Sequence, residues 1–390
     1  MKPSRPTLGI APDGHSNDGA PRDDPACRHL RRPLAPHPIS EGTTILELVD
    51  GTMTAFNARQ LAAACQLYAE QLAADNVRIG MSLSGALVPA GLGRSCLVPM
   101  IRRGMIDWMV STGANLYHDL QMALGYQMYF GTPHANDTQL RNDGVVRIYD
   151  LFFESEALYT TDQFIRDTFR RLVTKREITD RISSADIHFW LGQELLQRSL
   201  ALREFSVLAA AADVGLPIHT ASPGDSGIGM NLAALQVEGI HVQVEPSIDV
   251  NETAAYVYDI KHAGGRSAVL ILGGGSSKNF VLQTEPYLQE VLGLEENGHD
   301  FFIQLTDARP DTGGLSGATP SEAVSWGKVD PDKLSQAVVC YGDCSVYLPL
   351  LVRYAVEKSP SRPHSRLYHS RRELSGFLFS QVRVPLPSKA

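Results

Sequence analysis

Apolar residues along the chain follow two alternating periods. Short apolar runs occur at 79–83, 106–110, 216–219, 241–244, 268–272, 301–305 and 338–341. Most give way to small residues and then to apolar positions three and four apart. Strand, small-residue turn, helix, repeated, is the grammar of a parallel α/β sheet. The pattern predicts six or more largely parallel strands with helices on both faces. The run 268–272 is wholly apolar, as expected of a strand covered on both faces. Leu61, Ala64, Tyr68 and Leu72 recur at helical spacing, with Asn57 as their expected cap. Thr160-x-x-Gln163 and Ser183-x-x-Asp186 predict two further helix starts. Asn251 is expected to cap a helix through Ala254, Val257 and Ile260, and Gly215 with Pro217 to close a helical block. Pro99 belongs in a first turn or at a kink. Residues 126–150 read as a polar insertion over the sheet.

Boundaries follow from the same pattern. Residues 1–38 are rich in Pro, Arg, Asp and Gly without apolar period, and are expected to be a disordered extension. One domain is expected over 39–375, with a tail at 376–390. Of 390 residues, 43% are hydrophobic and 20% charged, enough for a large globular core. The net charge of -8 argues against nucleic acid as main partner. Five cysteines, few and odd in number, predict reduced thiols and a cytoplasmic setting. Cys340 and Cys344 have no second Cys or His pair at ligand spacing, so no metal site is expected. No apolar run reaches membrane-spanning length.

The stretch from Gly313 to Lys328 concentrates candidate chemistry. Thr319, Pro320 and Glu322 predict a capped helix start. Glu322 and Trp326, four apart, would share a helical face, and Gly327 would end the turn with Lys328 at its mouth. Carboxylate, indole and amine so placed suit a cationic, partly apolar ligand such as a polyamine, and the lysine could form an imine. Equally, they could be a cap, a core residue and a solvated helix end. Gly273-Gly-Gly-Ser-Ser-Lys278 reads either as a tight strand-to-helix turn or as a phosphate cradle. Asp225 and Asp343 follow strands and could hold ribose hydroxyls or simply cap. His118 and Asp119 are read as capping or surface groups, and His219 as a core histidine.

Taken together these segments resemble the deoxyhypusine synthase family, most closely its bacterial branch, which is related to homospermidine synthases. The resemblance covers roughly residues 40 to 375. Glu322-Ala-Val-Ser-Trp-Gly-Lys328 matches the family's lysine motif residue for residue. Supporting matches are Ser111-Thr-Gly-Ala-Asn-Leu-Tyr-His-Asp119, Ser222-Pro-Gly-Asp225, Leu272-Gly-Gly-Gly275 and Tyr341-Gly-Asp343. The resemblance implies a Rossmann-like NAD-binding α/β fold and a homotetramer with active sites at a dimer interface. It implies an NAD site lined by Thr112, Gly113, Ala114, Asp225, Gly273, Gly274 and Asp343. Glu322, Trp326 and Asn279 would bind the polyamine and Lys328 would carry the covalent imine.

The implied reaction moves a 4-aminobutyl group from spermidine, or a related polyamine, through Lys328 to an acceptor amine. The acceptor would be a small amine such as putrescine, giving homospermidine, or a protein lysine. A lysine attacks only when neutral, so its ordinary pKa of about 10.4 must fall. Several positions depart from the family, among them Gly85-Ala86, where the first glycine loop of the family carries a Ser-Asn pair. Asn279 replaces a histidine of the eukaryotic enzymes, and Leu315 and Met230 replace acidic anchors. Two further readings differ in class: a polyamine- or NAD-binding protein without turnover, and a plain NAD-dependent amine dehydrogenase.

Overall fold

The computed structural model describes residues 33–382, apart from 180 and 199. Its strands are β1 (Val77–Leu83), β2 (Trp108–Ser111), β3 (Tyr129–Phe130), β4 (Val145–Ile148), β5 (Leu151–Glu154), β6 (Arg181–Ile182), β7 (Ile218–His219), β8 (Gln243–Val244), β9 (Arg266–Leu272), β10 (Phe301–Thr306) and β11 (Ala337–Tyr341). Six form one sheet in the order β11-β10-β9-β1-β2-β7, every neighbouring pair parallel. Counted by appearance from the β7 edge, the order is 3-2-1-4-5-6, that of a doubly wound dinucleotide-binding sheet. The chain walks from β1 out to one edge, returns, and walks from β9 out to the other. The reversal falls between β1 and β9, which pair from Val77 with Arg266 to Leu83 with Leu272.

Both sheet faces are covered. Ile79, Met81, Leu83, Leu270, Leu272, Ile303 and Leu305 enter one core cluster. Trp108, Val110, Val269, Ile271 and Phe302 enter the other. Successive residues of β9 alternate between them, which is why that run carries no polar residue between Ala268 and Leu272. The indole of Trp108 lies across β1 opposite Gly80. A Cβ at Gly80 would stand 2.4 Å from its ring, so the large residue on one strand requires the glycine on the next.

Several local expectations hold. Ser183 and Asp186 form a reciprocal capping box before the helix Ser184–Gln197. Gly215, at φ 71°, ends the helix Val207–Val214. Pro99 lies in the first turn of Val98–Arg102. Others are corrected. Asn57 is inside the helix Phe56–Leu67, and its amide donates instead to Tyr341 O at 2.7 Å. Thr160 lies within Glu156–Thr174, and Asn251 within Pro246–His262, whose first turn is set by Pro246. The run 241–244 contracts to β8, which pairs with β6 outside the central sheet. Residues 126–150 belong to an antiparallel β3-β5-β4 sheet reaching Glu154, and Phe130 and Tyr149 on it are exposed. The boundary expected at 375/376 falls inside the helix Leu367–Gln381, which packs on Pro246–His262. The expected N-terminal extension lies mostly outside the described residues. Among those described, no helix is long and apolar enough to cross a membrane.

Candidate active site

Every site residue predicted from the sequence lies beyond the carboxyl end of a central strand. Thr112, Gly113 and Ala114 follow β2, and Asp225 follows β7. Gly273, Gly274 and Asn279 follow β9; Glu322, Trp326 and Lys328 follow β10; Asp343 follows β11. The crevice at the β1/β9 reversal is the usual ligand position in such sheets. A Cβ at Gly85, after β1, or at Gly275, after β9, would meet nothing within 4 Å, so a ligand can approach both loops closely.

The glycine loop is clasped on two sides. Gly273 and Gly275 have φ of 79° and 65°, a left-handed conformation that disfavours side chains. Ser84 Oγ donates to Gly274 O. Gly275 N donates to Ser316 Oγ at 2.9 Å, and Gly273 N to Leu305 O at 2.8 Å. These two amides are committed inside the protein, so the stretch makes a tight strand-to-helix turn. Gly274 lies against the Leu315–Gly317 turn, where a Cβ would fall 2.5 Å from Ser316 Cα.

Lys278 is the functional candidate that sequence reasoning missed. It is 1% exposed and no carboxylate is bonded to it. Its Nζ donates to Gln304 Oε1 (3.0 Å), Ser316 O (3.2 Å) and Ala318 O (2.7 Å). Gln304, a buried amide in apolar β10, also donates to Gly273 O and Ser316 O. The pair thus locks the glycine loop to the segment that leads to Lys328. Burial first, and the charge of Lys328 second, lower the Lys278 pKa from 10.5 to about 8, against the pull of Glu322. One sequence signal was present: a lysine in the first turns of the helix Gly275–Leu282, the end where the helix dipole disfavours cations.

Lys328 is presented by a turn, not by a helical face. Thr319 caps the helix Pro320–Val324 through Glu322 N, and the helix stops two residues before Trp326. Gly327 then takes φ 65°, with its carbonyl held by Gln289 Nε2 at 2.8 Å. Lys328 N donates to Ala323 O, and Lys328 O accepts from His299 N, each at 3.0 Å. The backbone is therefore pinned on both sides and the half-buried side chain has a defined origin. Its Nζ donates to Asn279 Oδ1 at 2.9 Å and lies 5.6 Å from the Trp326 ring centroid. Burial lowers its pKa while nearby Glu322 opposes. The expected meeting of carboxylate, indole and amine is achieved, by a different local geometry. Asn279 accepts the lysine's N–H but, as an amide, takes no proton.

A cleft of about 490 Å³ opens beside the Lys328–Asn279 pair. Asn279, Gln283, Tyr287, Glu290, Thr253 and Leu315 line it. Leu315 is thus a cleft wall, as its alignment with a lost anchor implies. Met230 is exposed on the helix Gly227–Val237 and is not among the residues lining the cleft. Glu290, which no motif singled out, puts a carboxylate on the same wall.

The remaining candidates are less concentrated. Asp225 and Asp343 are both exposed, on loops after the two edge strands. Asp343 Oδ1 accepts from Ser345 N at 2.7 Å, capping Cys344–Lys358. Gly113 faces Ser226, whose Oγ would stand 2.4 Å from an added Cβ, so the β2 and β7 loops touch there. Asp119 does cap, but it caps the separate helix Val207–Val214 from a buried position, accepting from Ser206, Val207 and Leu208.

The strand order and the lysine-bearing turn define a doubly wound α/β protein with a lysine-centred site at its switch point. The chain belongs to the deoxyhypusine synthase family: the deoxyhypusine synthase family profile matches residues 47–355. A deoxyhypusine synthase-like protein of a Nostoc species is 50% identical over 349 residues, covering 89% of this chain and 90% of the relative. A Methanosarcina acetivorans protein provisionally named deoxyhypusine synthase 2 is 39% identical, covering 81% and 88%. A solved structure of an Entamoeba histolytica protein, provisionally a deoxyhypusine synthase, superimposes with TM-score 0.57 at 14% identity. It covers 85% of this chain and 99% of that one, a likeness of fold. Family membership places the chain among transferases.

Proposed function

We propose that the protein is an NAD-dependent aminobutyl transferase that carries its group as an imine on Lys328 and delivers it to a small acceptor amine. The observation that carries this reading is the half-buried Lys328, its pKa lowered, bonded to Asn279, which lines a cleft with one carboxylate and several apolar walls. NAD fits the residues at the switch point: the sheet has the dinucleotide-binding order, and the loops after β1 and β9 leave open space over their glycines. Thr112, Gly113, Ala114, Gly273 and Gly274 would hold it, with Asp225 and Asp343 at the rims. When bound, NAD supplies the hydride acceptor and, later, the hydride donor.

The chain's own residues do the rest. Glu322 and Glu290 attract the ammonium groups of the polyamine, and Trp326 covers its methylenes. Asn279 orients the Lys328 amine through the 2.9 Å hydrogen bond. Neutral Lys328 adds to the oxidised C=N carbon, the amine on that carbon leaves with a proton, and the aminobutyl group stays as a lysine imine. The acceptor amine displaces Lys328 and the new imine is reduced. Leu315 in the cleft wall argues against the same ligand pose as in relatives with an acid there. It favours a small acceptor over a protein lysine. A second copy of the chain would cover exposed Trp326 (59%) and Val346 (56%), which supports a shared, self-associated site. Cys65, Cys96, Cys340 and Cys344, the cysteines among the described residues, are buried and free, which suits a cytoplasmic setting.

Incubation with NAD and spermidine, followed by borohydride and peptide mapping, tests the reading. An NAD-dependent aminobutyl adduct on Lys328 is expected, absent in Lys328→Arg. NAD binding without any adduct from spermidine, putrescine or agmatine would sink the covalent step and favour a binding protein.

A further inference from the structure

A second polar cluster lies at the end of β7, behind the cleft. His219 closes that strand, and Asp249 and Glu252 stand three apart in the first turns of Pro246–His262, on one helical face. They are 0%, 1% and 3% exposed. One ligating atom from each lies within 4.8 Å of the other two. His219 Nδ1 is 3.0 Å from Asp249 Oδ1, which also accepts from Ser184 N at 2.9 Å. His219 Nε2, Asp249 Oδ2 and Glu252 Oε2 are buried without any hydrogen-bond partner. Leaving such atoms unpaired is costly, and three in one place call for an occupant.

Charge points to what that occupant is. Asp186 and Glu252 share one buried guanidinium, Arg371, which bonds Asp186 and lies 3.2 Å from Glu252 Oε1, while Asp249 faces His219. With His219 neutral, the three ionised carboxylates leave two negative charges unbalanced by Arg371. We propose that His219, Asp249 and Glu252 bind one divalent transition-metal ion of the zinc or manganese class. One ring nitrogen and two carboxylates form a borderline-hard donor set of the kind such ions take. Ligand bonds of about 2.0–2.2 Å put two donors on one ion about 3.4 Å apart. The ion would take the place of the proton now shared across the 3.0 Å between His219 Nδ1 and Asp249 Oδ1, a spacing near that one, with the free Asp249 Oδ2 and Glu252 Oε2 brought in.

The ion is structural, since the cluster is closed to solvent. It ties the end of β7 to a helix whose Val250 and Thr253 line the cleft. Sequence spacing does not reveal it, because His219 and Asp249 are 30 residues apart.

The test uses the full chain expressed with added ZnCl2 and MnCl2, dialysed, and assayed by elemental mass spectrometry. Close to one equivalent of zinc or manganese is expected, falling at least about fivefold in His219→Gln and Glu252→Gln. Chelator-treated wild type should melt several degrees lower and recover with one of the two ions alone. This second measurement stands even where the variants fail to fold. Wild type with under about a tenth of an equivalent, and a melting point unmoved by either ion, overturns the proposal. The cluster is then a proton-sharing network.

Discussion

Replacing Lys278 by methionine tests whether a buried cation really underlies the site. In the fold the ammonium gives three hydrogen bonds but has lost its water, and its pKa falls from 10.5 to about 8. The unfolded chain therefore binds more protons than the folded one between those values, so wild-type stability rises as pH climbs through 8. A 2.5-unit difference gives about 2 kcal/mol of gain between pH 7 and pH 9.5. Methionine has nearly the same length and no charge, so the variant lacks this gain. It also leaves Ala318 O and one side of Gln304 unpaired, a cost of about 1–3 kcal/mol at every pH. Urea unfolding of both proteins at pH 7 and pH 9.5 separates the two effects. The stability gap between wild type and Lys278→Met should widen by about 2 kcal/mol at the higher pH. A gap that stays within about 0.5 kcal/mol would mean that Lys278 is solvated and the lock around Gln304 is not as described.

Other consequences are open to simpler measurements. Asn279→Ala removes the 2.9 Å bond that aims Lys328 and should slow adduct formation about five- to tenfold, read by single-turnover trapping; an unchanged rate would deny it that role. Gly274→Ala drives a Cβ to 2.5 Å from Ser316 Cα, and Gly113→Ala drives one to 2.5 Å from Ser226 Cβ, neither of which moves without a backbone shift. Each should lower stability by about 1–3 kcal/mol in thermal melts; an unmoved melting point for either would contradict the loop packing. His299 is fully buried and its pKa falls to about 3, mainly by burial and then by Lys261. Unfolded chains protonate this histidine below about 6.5, so stability should fall by about 2 kcal/mol from pH 7 to pH 5, a slope missing in His299→Gln.

The central sheet was largely legible because its strands are buried on both faces and announce themselves as unbroken apolar runs. Boundaries failed where a stronger local signal sat upstream. Asn251 looked like a cap, but Pro246 fixes φ five residues earlier and starts the helix there. The 375/376 boundary cuts the helix Leu367–Gln381 because its inward face carries Arg371 and Ser375 beside Leu367 and Leu378, which blurs the apolar stripe. At the site, Lys328, Trp326 and Glu322 were readable from one short motif. Lys278 was not, since lysines are ordinarily exposed and only the Gln304–Ser316 surroundings make it a buried one. His219, Asp249 and Glu252 meet only in three dimensions.

The helix Leu367–Gln381 has a consequence for how the chain is made. Asp186 is buried against Arg371, a partner synthesised 185 residues later. Until that arginine arrives, Asp186 and Glu252 lack the guanidinium they share. The parallel sheet imposes a similar wait, since β1 takes β9 as a neighbour, nearly two hundred residues on. A nascent chain paused between these segments holds its strands but not its seal. Its exposed apolar faces are then what a holding chaperone would bind on the ribosome.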